Sequence, residues 1–104
     1  MEDLGQLEAR IADLRARAAG GTPDAQLAQE VDEILSAGYA AALRLDAESA
    51  RLRERIGELV SQVEDSRAAW ELRRLNLEEG AVTARALRLR SELGALRDLV
   101  APNR

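Results

Sequence analysis

Leu59-Val60-Ser61-Gln62-Val63-Glu64-Asp65-Ser66-Arg67-Ala68 is the stretch where two otherwise regular apolar stripes fall out of phase. Before it, Leu52, Ile56 and Leu59 recur in steps of four and three residues. After it, Ala68, Leu72, Leu75, Glu79, Val82, Ala86, Leu89, Leu93, Leu96 and Val100 keep the same rhythm. Alternating steps of three and four hold one stripe of a helix against a neighbouring helix. Leu59 and Ala68 play equivalent parts, yet they stand nine residues apart. At about 100° per residue, one continuous helix would put the two stripes on opposite sides. A turn within 62–67 removes the conflict, with Asp65 or Ser66 capping the helix that follows. A break at Glu79-Gly80 is the competing reading, because it offers a glycine. It would start a helix with Arg85 and Arg88 near the positive end of the dipole and no acid there, so the earlier turn is preferred.

Working back from that turn, Leu27, Val31, Ile34, Gly38, Ala41 and Leu45 form the first half of the long stripe, which resumes at Leu52 and runs to Val63. Ala41 and Leu52 are equivalent and eleven residues apart. That spacing is a stutter, which a helix absorbs by unwinding slightly. Nearer the start, Leu4, Leu7, Ile11, Leu14 and Ala18 form a separate seam that stops at Gly20-Gly21, where a left-handed cap costs little. Thr22-Pro23-Asp24 reads as a new beginning. Thr22 suits the cap, Pro23 the first helical position, and Asp24 the positive end of the dipole. The expected fold is all-α: an antiparallel helical hairpin or three-helix coiled-coil bundle. Its helices span about 2–19, 23–63 and 66–100 in a single domain, 1–104.

Composition agrees with this and narrows the function. Charged residues make up 33% of the 104 and apolar ones 46%, while Phe is absent and Trp and Tyr occur once each. Leu and Ala therefore supply the packing, as in long helices and coiled coils. All 15 basic residues are Arg, and the net charge is −4, which argues against nucleic acid as partner. No apolar run is long enough to span a membrane and no polybasic anchor is present. Met1-Glu2-Asp3 does not read as a signal peptide, so a soluble, cytoplasmic protein is expected.

His, Cys and Lys are all missing, which removes the usual general base, the reactive thiol, the side-chain amine and the commonest metal ligand. Acidic clusters such as Glu30-Asp32-Glu33 and Glu78-Glu79 lack the histidines of a di-iron bundle and the glycine of a calcium loop. No catalytic residue, cofactor, metal or small-molecule substrate is expected, and the chain is not expected to be an enzyme.

What remains is binding by helices. Leu35, Tyr39, Leu43, Trp70, Leu77 and Leu87 lie off the main seams. Gly38-Tyr39 opens a patch of small residues in mid-helix, where glycine costs about 1 kcal/mol. Close approach of a second helix, with Tyr39 as anchor, would offset that cost. Trp70 with Arg73 and Arg74 is a second candidate, since Trp and Arg concentrate at binding hot spots. The candidate interface is thus Leu35, Gly38, Tyr39, Leu43, Trp70, Arg73, Arg74 and Leu77. Glu79 at a seam position can set register or mark an exposed end. The expected function is a self-associating coiled-coil scaffold, with a homodimer or a helical protein as partner. The alternative is a regulatory adaptor that sequesters a signalling or transcription protein.

Overall fold

A computed structural model describes residues 3–21, 24–62 and 66–100. It consists of three helices that pack against one another: α1 (Leu4–Gly20), α2 (Ala25–Val60) and α3 (Ser66–Val100). No strand occurs among the described residues. The all-α bundle expected from the spacing is therefore present, and α3 runs unbroken through Gly80, so the second connection is the earlier turn.

The helix ends depart from expectation in ways that local chemistry explains. Asp3 caps α1 by accepting from the Gln6 backbone at 2.7 Å, while the Gln6 side chain accepts from the Asp3 backbone at 3.2 Å. This reciprocal pair satisfies two orphan N–H groups at once. At the other end Gly21 is extended (φ −164°), not left-handed. Gly20 and Gly21 are exposed, and nothing lies within 4 Å of where their Cβ atoms would be, so the helix ends without a left-handed turn.

Asp24 caps α2. Its carboxylate accepts from the Leu27 N–H at 2.7 Å and its carbonyl from Ala28 at 3.0 Å, and the helix runs from Ala25. Thr22 and Pro23 lie outside the described residues, as do Val63 and Asp65. α2 closes at Val60, short of the expected 63, because the Ser61 hydroxyl donates to the Glu58 carbonyl at 2.7 Å and the Gln62 N–H to Leu59 at 2.9 Å.

Within the chain two compact units stand out: Met1–Ala42 with Arg88–Arg104, and Leu43–Leu87. The first unit combines α1 with parts of α2 and α3. Its core is apolar and closed: Ile11, Val31, Ile34, Leu89, Leu93 and Leu96 are each less than 2% exposed. Leu7, Leu14, Ala18 and Leu27 complete it. On its rim Arg17 bridges to Glu30 at 2.9 Å, tying α1 to α2. Gly38 meets the same core. A Cβ placed there would fall 2.5 Å from Leu93 Cδ2, so any larger residue would force Leu93 or the helices to shift.

The second unit is a hairpin of two antiparallel helix segments with a thinner core. Leu59, Ala68 and Leu75 are buried, and Leu52, Ile56 and Leu72 pack against them while remaining half-buried. Above this cluster the seam turns polar, at Ser49 and Glu79. The stutter between Ala41 and Leu52 is filled by Leu45 and Ser49, in steps of four, four and three.

Candidate helix-binding surface

The hairpin of the second unit holds two features of functional interest: a polar layer inside its seam and an apolar face on its outside. The layer gathers around one oxygen. Glu79 Oε1 accepts from the Thr83 hydroxyl at 2.8 Å, the Ser49 hydroxyl at 2.9 Å and Arg53 Nε at 3.0 Å. Ser49 is only 4% exposed, and its oxygen also lies 3.2 Å from the Thr83 hydroxyl. Thr83 above all, then Ser49, and more weakly the charge of Arg53, hold the Glu79 carboxyl below its ordinary value, against the opposing effect of desolvation. Glu79 therefore sits in mid-helix as a satisfied seam carboxylate and not at an exposed end. A layer of this kind fits one register, because sliding either helix by a turn would part Ser49 and Arg53 from their acceptor. Lower down, Arg55 reaches Glu58 at 3.2 Å and Glu71 at 3.5 Å, again joining α2 to α3.

The outer face of α3 looks quite different. Trp70 is 72% exposed and Leu77 73%. Both are large apolar side chains in a chain otherwise poor in aromatics. They lie seven residues apart, two helical turns, and so share a line on the helix surface. Arg73 and Arg74 flank that line, both exposed, and neither makes an ion pair among the described residues. The i, i+4 partners that spacing offers, Arg74 with Glu78 and Arg88 with Glu92, are not joined among the described residues either. Their Arg-first order is the weaker orientation on a helix. Asp13 and Arg17 do approach, at 3.7 Å.

Four of the eight candidate positions thus come together here: Trp70, Arg73, Arg74 and Leu77. Leu43 belongs to the same unit, on α2, and is also well exposed. Leu35, Gly38 and Tyr39 belong to the first unit. There Gly38 is buried against Leu93 of the same chain, so the close approach inferred from this glycine is internal and Gly38 drops out of any outer surface. Leu35 is half-buried and Tyr39 just exposed. Two exposed apolar residues that the seam analysis passed over, Val60 and Leu99, also appear. Each stands next to a seam position, Leu59 and Val100 respectively, which the sequence alone gives no reason to single out.

Among the described residues no cluster of three or more acidic groups could hold a metal ion. No described helix is long and apolar enough to cross a membrane. Comparison with protein-family models, with curated proteins and with solved structures gives no match to this chain.

Proposed function

We propose that this chain is a non-enzymatic protein–protein interaction module that self-associates through the open hairpin of its second unit. The observation that carries the reading is the exposure of Trp70 and Leu77 on one line of α3. Isolated exposed apolar residues are ordinary, but an indole and a leucine two turns apart, flanked by two exposed arginines, have the composition of a binding hot spot. The absence of His, Cys and Lys from the composition supports a binding role over a catalytic one.

Light scattering of the purified chain over a range of concentrations tests the proposal. A species of twice the chain mass is expected, and Leu77→Glu should return it to the mass of one chain. A wild-type protein that stays monomeric throughout overturns self-association and favours the adaptor reading, in which the same face waits for a different helical protein.

A further inference from the structure

We infer that the outer face of α3 between Trp70 and Ala84 pairs with the same face of a second copy in antiparallel orientation, an inference that rests on the self-association proposed above. Trp70, Leu77 and Ala84 recur every seven residues and lie on one line. Arg73 and Gly80 fall to one side of it, Arg74 and Ala81 to the other. All seven are exposed. This stripe lies opposite the seam that buries Ala68 and Leu75, so the chain's own hairpin does not cover it.

The stripe differs sharply between its two halves. Its first half, Trp70, Arg73, Arg74 and Leu77, is bulky and carries all of its charge. Its second half, Gly80, Ala81 and Ala84, has nothing larger than a methyl group and no charge. A parallel pair would stack indole on indole and crowd the arginines of both copies together. It would also leave the two small halves facing each other across a gap. Like charges in contact and unfilled space both oppose association.

An antiparallel pair about a two-fold axis beside Leu77 does the reverse. Each bulky half covers the small half of the other copy, Trp70 comes to lie over Ala84, and the arginine clusters move apart. Arg74 then stands level with Gly80 of the second copy, within a turn of its Glu78 and on the same edge of the contact. This gives both charges a partner that neither has among the described residues. Because the same patch serves both copies, the contact closes as a dimer and does not propagate.

The chain contains no cysteine, so single cysteines report this geometry without interference. In the full-length protein, Leu77→Cys should be joined efficiently by a short bifunctional maleimide, while Ala84→Cys should not. A spin label on Ser66→Cys, at the start of α3, should read about 35 Å to its counterpart at 1.5 Å rise per residue. This second measurement holds even if cysteine at 77 weakens the dimer. Cross-linking at 84 as strong as at 77, or a Ser66 distance below about 20 Å, would establish parallel pairing and overturn the inference. A wild-type dimer in which neither 77 nor 84 is joined and the Ser66 distance departs from 35 Å places the contact elsewhere. That result removes the antiparallel face but leaves self-association standing. A wild-type monomer removes both.

Discussion

The first unit and the second are built from the same kinds of residue at the same spacing, yet one is finished and the other is open. In the first, α1 supplies a third layer, and six large side chains are almost fully withdrawn from solvent. In the second, two helix segments meet over Leu59, Ala68 and Leu75, with Leu52, Ile56 and Leu72 left half-buried around them. The seam chemistry differs accordingly. The closed unit is apolar throughout its centre and uses Gly38 to draw α2 and α3 together. The open unit places Ser49, Glu79 and Thr83 in its seam and relies on their hydrogen bonds for alignment. A three-layered core gains stability from area removed from water, whereas a two-helix contact buries less and is better served by groups that fix register.

The contrast predicts different sensitivities. Truncating Leu93, at 0% exposure, to Ala should destabilise the protein by about 2–5 kcal/mol in urea unfolding, while Leu72→Ala should cost about 1–2 kcal/mol. Equal losses at the two sites would mean the second unit is as tightly packed as the first. Glycine substitutions should differ in sign. Gly38→Ala pushes a methyl group against the fully buried Leu93 and should cost about 1 kcal/mol net, since overpacking outweighs the gain in helix propensity. Gly57→Ala, where nothing lies within 4 Å, should stabilise by about 0.5–1 kcal/mol. A stabilised Gly38→Ala variant would show that Leu93 has room to move.

The smallest effect concerns acid. Because Glu79 is held below its ordinary value in the folded state, its contribution is fully present above the ordinary carboxylate range and is lost as pH falls through its lowered value. Glu79→Gln should therefore flatten the acid-side decline in the urea midpoint. An unchanged decline would assign it to other carboxylates.

Much of this architecture is legible in the sequence, and the reason is physical. Steps of three and four residues report which positions face a neighbour, and Leu7, Ile11, Leu14, Val31, Ile34, Leu89, Leu93 and Leu96 are buried where that rhythm puts them. The nine-residue slip between Leu59 and Ala68 likewise forces a turn. Exact helix ends are less visible, because several residues compete for each cap. Asp24 prevails at the start of α2, and the Asp3 and Gln6 spacing that caps α1 was present but unread. Ser49 was hidden for a different reason. Seam analysis follows apolar residues, so a serine inside a stutter passes unnoticed although it occupies a core position. Gly38 shows the remaining gap: its cost in a helix announces a close neighbour, but only the fold identifies that neighbour as Leu93. The exposed face of α3 was partly legible, since Trp70, Arg73, Arg74 and Leu77 stand off the seam. The sequence did not reveal how unequal its two halves are in use.

Hydrogen exchange of the full chain, measured at concentrations above and below the association midpoint, tests most directly whether one unit is complete and the other awaits a second copy. Amides of 31–38 and 89–96 should be strongly protected and indifferent to concentration, whereas those of 70–84 should gain protection as the protein is concentrated. Protection that is uniform along both units and unchanged by concentration would contradict the account.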